Sequence, residues 1–172
     1  MSAAPSENRS FSSEKPISAS AIIVAAGTGI RMKGPTRKQY LQLQNRPVLS
    51  RALAVFEDCE RIGRVYLVIP KGDFDYVRAN ILCYSSGQKE IVLVAGGKER
   101  QNSVCNGVRA VDSREKFVVV HDGVRPFVTS EDIERCLDGA RFSGACILGL
   151  PAKETLKRVE KINGDLFIQS TI

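Results

Sequence analysis

The sequence predicts an α/β fold, an open and mostly parallel sheet with helices on both faces, because apolar strand-like runs alternate with helical stretches. These runs are continuously apolar, as expected for strands that are buried on both faces. The last part of the chain differs, since two runs of alternating polarity flank Asn163-Gly164, a strong signal for a β-hairpin. We therefore expect an α/β domain from which a β-hairpin arm protrudes.

The strands and helices can be placed from the spacing of apolar residues. Short runs rich in β-branched residues predict strands at 20–25, 64–70, 90–97, 116–122 and 144–151. Apolar residues three or four positions apart predict helices at 47–59, 75–84, 98–111 and 129–142. The expected buried faces are Leu49, Leu53 and Phe56 in the first helix and Val104, Val108 and Val111 in the third. Thr129 is expected to cap the last helix.

Three segments are expected along the chain, whose 172 residues correspond to one domain. Residues 1–18 are rich in serine and lack the apolar core of a secretory signal, so a disordered N-terminal tail is expected. Residues 19–152 are expected to form the α/β domain, and residues 153–172 the hairpin arm. The hairpin runs to the last residue, an unusual place for a domain to end.

Composition limits the classes of ligand. A net charge of +6 and a pI near 9.2 favour an anionic partner. Aromatic residues make up only 6% of the chain and are not interleaved with the basic ones, so nucleic acid is the weaker interpretation. No apolar run approaches the roughly 18 residues of a membrane helix, and no membrane partner is predicted.

The cysteines and the single histidine argue against a zinc site. Cys59, Cys83, Cys105, Cys136 and Cys146 are widely spaced and form no C-x-x-C pair. We expect reduced, small core residues, as in cytoplasmic proteins, which single replacements by alanine or serine would affect only in stability.

A basic loop follows the first predicted strand. The stretch AIIVAAGTGIRMKGPTRKQY contains Arg31, Lys33, Arg37 and Lys38 with no acid among them, so we expect unpaired cations that bind a polyphosphate. The dinucleotide pattern G-x-G-x-x-G fails at Met32, and the P-loop pattern fails because proline stands where its lysine is required. A strand-to-helix turn with solvated charges is the alternative.

Two other strand ends carry small or ionic residues. Asp122 and Arg125 follow the fourth predicted strand, where a carboxylate could hold Mg²⁺ against phosphates or could simply cap a turn. His121 is expected to pack rather than to act as a base. Gly96-Gly97 follow the third strand and could let backbone groups approach a flat base, although a plain turn fits that spacing equally well. Since the carboxyl ends of parallel strands share one edge, a nucleotide site is predicted there.

Taken in order, the motifs AAGTGIRM…RKQY, GGKERQNSV, VHDGVRPF and PAKETLKR resemble those of the 2-C-methyl-D-erythritol 4-phosphate cytidylyltransferase family, from about Ser20 to the end of the chain. The resemblance implies a Rossmann-like sheet of the nucleotide-diphospho-sugar transferase type. It also implies transfer of CMP from CTP to methylerythritol phosphate with Mg²⁺, in isoprenoid precursor biosynthesis.

Site residues follow from the resemblance by position. Arg31 and Lys38 match the two catalytic basic residues on the transferring α-phosphate, where fixed cations would stabilise the charge of the transition state. The positions that match the nucleotide-binding segments are Ala25, Ala26, Gly27, Gly29, Gly97 and Ser103.

Substrate contacts and the dimer are implied in the same way. Asp122 matches an aspartate that binds both metal and substrate, and Arg125 the arginine after it. Thr155 and Lys157 match a hairpin arm that crosses to a partner subunit and completes its substrate pocket. The resemblance thus implies a homodimer.

The family pattern continues beyond the position of Ile172, with an arginine and a lysine that bind the substrate phosphate. The sequence is therefore either a fragment of a longer protein or a truncated form with impaired activity, and we expect the fragment. Three other functions remain open: a cytidylyltransferase that uses ribitol 5-phosphate, a non-catalytic nucleotide-binding module, and a basic RNA-binding domain.

Overall fold

The computed structural model describes residues 18–27, 36–151 and 153–172. In chain order its strands and α-helices are β1 (Ala19–Val24), β2 (Gln42–Leu43), β3 (Arg46–Pro47), α1 (Val48–Asp58), β4 (Ile62–Ile69), α2 (Phe74–Asn80), β5 (Glu90–Ala95), α3 (Arg100–Ala110), β6 (Val118–Asp122), α4 (Ser130–Ser143), β7 (Lys157–Ile162) and β8 (Asp165–Thr171). Nearly all of the expected N-terminal tail lies outside the described residues.

Four parallel strands form the central sheet in the order β5-β4-β1-β6. The chain moves outward from β1 to β4 and β5 and then returns to the other side of β1, so the strand order reverses between β1 and β6. In open α/β sheets ligands bind at such a reversal, beyond the carboxyl ends of the strands. The predicted fold class is confirmed.

Helices cover both faces of this sheet. On one face α1 buries Leu49, Leu53 and Phe56 completely or almost completely, as its spacing predicts. On the other face α3 lies over β1 and β4, against Ile22 and Val68. The continuous apolar runs of the central strands are therefore explained by burial on both sides.

The predicted buried face of α3 is wrong at Val108, whereas Val104 and Val111 are partly buried and Val111 packs against the core. Val108 is 48% exposed, whereas Ser103 and Gly107 are the buried residues of this helix. A Cβ atom at Gly107 would lie only 2.5 Å from Cγ2 of Ile22. The helix approaches the sheet so closely that it presents its small residues, a criterion that apolar spacing alone cannot detect.

The predicted fifth strand at 144–151 is also wrong. After α4, which begins at the Thr129 cap as expected, Ala145–Leu150 form no strand, and Ile147 and Leu150 are 89% and 95% exposed. A strand requires a neighbouring edge for its backbone hydrogen bonds, and within the described residues no strand pairs with this segment. Its apolar composition fits a strand, but the pairing is absent.

The expected C-terminal hairpin is present as β7 and β8. Asn163 and Gly164 form its turn with φ angles of 51° and 99°, the left-handed region that an Asn-Gly turn requires. Every residue of both strands is exposed. A second hairpin joins β2 to β3 through Gln44 and Asn45 and was not predicted, because glutamine is an uncommon residue at positive φ.

Two further findings concern the cysteines and the possibility of a membrane-spanning helix. All five cysteines are free thiols, but the expectation that they are core residues holds only for Cys59, since Cys136 is partly buried and Cys83, Cys105 and Cys146 are exposed. Among the residues that the structure describes, no helix has both the length and the apolar character needed to cross a membrane.

Replacing Gly107 by alanine should destabilise the protein, because the new methyl group would overlap Ile22 in the core. Overpacking of this kind lowers the free energy of unfolding by about 1–3 kcal/mol, and the better helix propensity of alanine offsets at most about 1 kcal/mol of that loss. Gly72→Ala is the matched control, since its Cβ would meet nothing within 4 Å. Equal unfolding midpoints in urea for the two variants would contradict the close packing of α3.

Candidate functional site

Three loops meet beyond the carboxyl ends of the central strands because the hydrogen-bond ladder continues past the strands themselves. The backbone N–H of Ala25 donates to Val68 O at 2.8 Å, and that of Gly96 donates to Ile69 O at 2.8 Å. On the other side of β1, the N–H of Gly123 donates to Val24 O at 2.9 Å. The ends of β1, β5 and β6 are thus fixed relative to one another before any side chain is considered.

Small residues bring two of these loops into direct contact. A Cβ atom at Gly96 would lie 2.2 Å from Cβ of Ala26, so only glycine allows the β5 loop to approach the β1 loop this closely. Ser103 fixes the turn: its buried hydroxyl accepts the N–H of Gly97 at 3.0 Å and donates to Glu99 O at 3.2 Å. The structure therefore brings together the predicted nucleotide-binding residues Ala25, Ala26, Gly97 and Ser103.

Asp122 lies at the end of β6, between two guanidinium groups. Its Oδ1 accepts from Nε and Nη2 of Arg100, at 3.0 and 2.8 Å, and its Oδ2 accepts from Nε of Arg125 at 3.1 Å. Partial burial by itself raises the pKa of Asp122, but the hydrogen bonds and charges of the two arginines outweigh it and hold the pKa below its ordinary value. The group is a carboxylate at neutral pH.

His121 packs, as expected, rather than facing the site as a base. Its ring lies 5.1 Å from that of Phe56, and its Nε2 is 3.0 Å from Arg125 O. Burial lowers the pKa of His121, more than its hydrogen bond to the backbone raises it. A neutral, packed imidazole thus helps to fix the backbone at Arg125.

Lys38 is presented to solvent by buried neighbours. It begins a single 3-10 turn, Lys38–Tyr40, in which Lys38 is exposed while Gln39 and Tyr40 are buried. Nε2 of Gln39 donates to Ala25 O at 2.7 Å and to Gly27 O at 3.2 Å. The Gln39 amide thus connects the turn that contains Lys38 to the loop that follows β1.

Asp73 also stabilises this turn, through contacts with Tyr40 and Arg37. Its Oδ2 accepts a hydrogen bond from the Tyr40 hydroxyl at 2.8 Å and forms a salt bridge with Nε of Arg37 at 3.0 Å. Burial and the neighbouring Asp73 carboxylate raise the pKa of Tyr40 well above its ordinary value, so the phenol keeps its proton and donates it. The expectation that all four loop cations are unpaired is therefore wrong for Arg37, whose partner lies 36 positions away along the chain.

Several predicted residues are not part of this cluster as described. Gly29 and Arg31 lie outside the described residues, as does Lys33. Thr155 and Lys157 are exposed, on and beside the hairpin, where the amino group of Lys157 donates to Thr171 Oγ1. None of the residues that the structure describes buries these two side chains.

Three residues of the site were missed at the level of sequence. Gln39 and Arg100 are present in the quoted motifs RKQY and GGKERQNSV, but polarity alone does not indicate which partner each will contact. Asp73 stands in an unremarkable loop after β4. Its only sequence signal is that it too follows a strand end, the position shared by the other residues of the site.

The donor set is compatible with a metal that also binds phosphate. No group of three or more His, Cys, Asp or Glu residues converges among the described residues. Asp122 offers one carboxylate at the rim of the site. Magnesium is commonly held in this way, by one or two carboxylates together with substrate phosphates and water.

The comparisons with known proteins all indicate the same family. The family model described as IspD, 2-C-methyl-D-erythritol 4-phosphate cytidylyltransferase, matches residues 19–172. A protein of that name from Alkaliphilus metalliredigens is 42% identical over 140 residues, which cover 81% of this chain and 58% of the relative. One from Geotalea uraniireducens is 40% identical over 142 residues, covering 81% of this chain and 61% of the relative.

Solved structures show the same similarity. The crystal structure of 4-diphosphocytidyl-2C-methyl-D-erythritol synthase from Anaerococcus prevotii has a TM-score of 0.71 at 28% identity, covering 91% of this chain and 63% of that one. The 2-C-methyl-D-erythritol 4-phosphate cytidylyltransferase of Francisella tularensis has a TM-score of 0.66 at 30% identity, covering 90% and 66%. The chain spans about three fifths of the length of the curated relatives it matches.

Replacing Asp73 by alanine should destabilise the protein, because it leaves the buried Tyr40 hydroxyl without an acceptor and Arg37 without its partner. The expected loss in the free energy of unfolding is about 1–3 kcal/mol. Asp75→Ala is the matched control, since Asp75 forms only an exposed pair with Arg78 and its removal should change stability by less than about 0.5 kcal/mol. Urea denaturation of both variants distinguishes the two, and equal losses would contradict the role given to Asp73.

Proposed function

The chain belongs to the 2-C-methyl-D-erythritol 4-phosphate cytidylyltransferase family, and we propose that it transfers CMP from CTP to 2-C-methyl-D-erythritol 4-phosphate, releasing pyrophosphate. The observation that carries the proposal is the convergence of the β1, β5 and β6 loops, which joins a small-residue surface to the Asp122 carboxylate. A flat base and a metal-bound phosphate chain are the two chemical features that such a surface would bind together.

The nucleotide is assigned to the loops after β1 and β5. Ala26 and Gly27 offer backbone groups with little side-chain bulk beside Ala25, whose own N–H and C=O are hydrogen-bonded within the fold. Gly97 is held by Ser103 in a turn that could contact the edge of a cytosine. Backbone carbonyls that accept from the exocyclic amine of cytosine would reject uracil, which has no donor there. Gly29 is assigned to the same group from its sequence position.

Catalysis is assigned to Lys38 and Arg31. An oxygen of the substrate phosphate attacks the α-phosphorus of CTP while the bond to the β-phosphate oxygen breaks, and pyrophosphate leaves. Negative charge spreads over the equatorial oxygens, where fixed cations stabilise it most. Gln39 and Asp73 support this role for Lys38, because they fix the turn that presents it.

Asp122 and Arg125 are assigned to metal and substrate. A bound Mg²⁺ would neutralise phosphate charge and help to align the reacting groups. Asp122 would hold this ion as a carboxylate, the form that its arginine neighbours favour. Arg125 is largely exposed and fixed at one nitrogen, so its other N–H groups are available to a phosphate of the substrate.

The hairpin is assigned to a homodimer. Its strands are exposed along their whole length and carry apolar side chains, among them Leu166 and Ile168, which are 69% and 65% exposed. An isolated hairpin of this kind is marginally stable and needs a surface to cover it. A second copy of the chain would supply that surface, and Thr155 and Lys157 would then contribute to the partner's substrate pocket.

The proposal is tested by measuring pyrophosphate release with CTP and Mg²⁺, on this chain and on a form extended to the length of its relatives. Methylerythritol phosphate and ribitol 5-phosphate are compared as acceptors. Turnover with methylerythritol phosphate alone supports the proposal, and turnover with ribitol phosphate alone replaces it by the sister reaction. If neither acceptor reacts in either form while CTP binds, a non-catalytic nucleotide-binding module takes its place.

Replacing Lys38 or Arg31 by alanine should lower turnover by about 10²–10³-fold, with a much smaller change in CTP affinity, because a fixed cation acts most strongly on the transition state. Steady-state rates and equilibrium CTP binding are measured on the active form. Lys116→Ala is the control, because Lys116 is exposed and lies at the amino ends of the strands, opposite the site. Equal losses in affinity and in rate would contradict the catalytic assignment.

Replacing both Leu166 and Ile168 by lysine should convert the dimer to a monomer, since two charges would be buried in the proposed contact. Size-exclusion chromatography with light scattering measures the molar mass. Ser170→Lys, which adds one exposed charge to the same strand, should leave the dimer intact. A dimer that survives the double substitution would contradict the arm as the dimer interface.

A further inference from the structure

We propose that Arg100 is a further ligand-binding residue of this site: Asp122 holds its guanidinium in the free protein, and the phosphate chain of the nucleotide takes that guanidinium in the complex. The proposal rests on the proposed function, because it adds a contact to the same nucleotide site. Arg100 has no role in the assignments made above.

The position of Arg100 lies between the two halves of the site. It is the first residue of α3, directly after the N-terminal cap Glu99 and the turn at Gly97 that Ser103 fixes. Its side chain reaches from there to Asp122, at the end of β6. A phosphate chain that joined a base beside Gly97 to a metal on Asp122 would pass close to this guanidinium.

Helix stability does not explain an arginine here. The first turn of α3 contains no acidic residue, and a cation at a helix N-terminus opposes the helix dipole. The pair with Asp122 is also open to water, since the Arg100 side chain is 64% exposed, and exposed ion pairs contribute little to stability. A position with little structural benefit but with its charge directed into the site is typical of a binding residue.

Charge and hydrogen bonding at Asp122 favour an anion. One carboxylate faces two guanidinium groups, Arg100 and Arg125, so the cluster carries a net charge of +1 from these three groups. Arg100 uses two of its five N–H donors on Asp122, which leaves three for a ligand. The planar fork of a guanidinium fits two phosphate oxygens better than a lysine amine would.

Arg100 and a divalent cation compete for the same carboxylate. Both are positive, and Oδ1 of Asp122 already accepts two N–H groups of Arg100. A cation bound at Asp122 would therefore weaken the interaction of Asp122 with Arg100 and leave the guanidinium available to a phosphate chain. The guanidinium exchanges one anionic partner for another and is never left without one.

The test is equilibrium binding of CTP, measured calorimetrically with saturating Mg²⁺, to the wild-type chain and to Arg100→Gln. We expect CTP affinity to fall by about 10- to 100-fold in the variant, the range for one charge-assisted hydrogen-bonding group. Binding of cytidine, followed by ligand-detected NMR, should not change, because cytidine has no phosphate. Arg100→Lys, which keeps the charge but loses the fork, should recover only part of the loss.

Arg114→Gln is the matched control. Arg114 contacts Asp112 through Nε and Nη2, as Arg100 contacts Asp122, but that pair follows the opposite end of α3. This variant should bind CTP as the wild type does. A similar loss in both variants would show a general effect of surface charge and would overturn the inference.

The remaining outcomes separate this inference from the function on which it rests. If neither the wild-type chain nor its form extended to the length of the relatives binds CTP, both fail. If the wild type binds CTP and Arg100→Gln binds equally well, only the role of Arg100 is wrong. Equal losses for CTP and cytidine would show that Arg100 supports the fold of the site rather than binding phosphate, and would also overturn it.

Discussion

The continuation of the parallel hydrogen-bond ladder beyond the strands is the constraint on which the site depends. The backbone N–H groups of Ala25 and Gly96 each donate to a carbonyl group of β4, so the loops after β1 and β5 begin from fixed positions. Contact between Gly96 and Ala26 then leaves no room for any side chain at the glycine. Because the backbone sets the positions of these loops, the fold itself aligns most side chains at the rim. Those side chains need only provide the charges and hydrogen-bonding groups that bind a ligand.

The arginines at the rim of the site are paired with carboxylates, although the chain as a whole carries a net positive charge. Positive groups exceed negative ones in the chain as a whole, yet Arg37, Arg100 and Arg125 are each held by a carboxylate. Such pairs limit the number of conformations that a long side chain can adopt, and so reduce the entropy lost when a ligand binds. The two carboxylates, Asp73 and Asp122, both follow strand ends, where a short side chain reaches several partners at once.

Much of the fold could be predicted from sequence, since apolar periodicity, the Thr129 cap and the Asn163-Gly164 turn are local signals. The errors arose where the deciding interaction is not local. Val108 has the spacing of a core residue but lies on the open side of a helix that packs through Gly107. The segment 144–151 has the composition of a strand without a partner edge. Likewise Arg37 looks unpaired until the fold brings Asp73 to it.

The same distinction explains why the sequence motifs identified the family more readily than the roles within it. In RKQY, the charged residues attract attention, but Gln39 makes the contacts that fix the motif to the loop after β1. Its amide can donate to two carbonyl groups at once, which an ionised carboxylate of the same length cannot do. A neutral, buried residue therefore determines where the exposed charge of Lys38 lies, and in GGKERQNSV buried Ser103 does the same for the turn beside Arg100. In both motifs the residue that places the charge is separate from the residue that carries it.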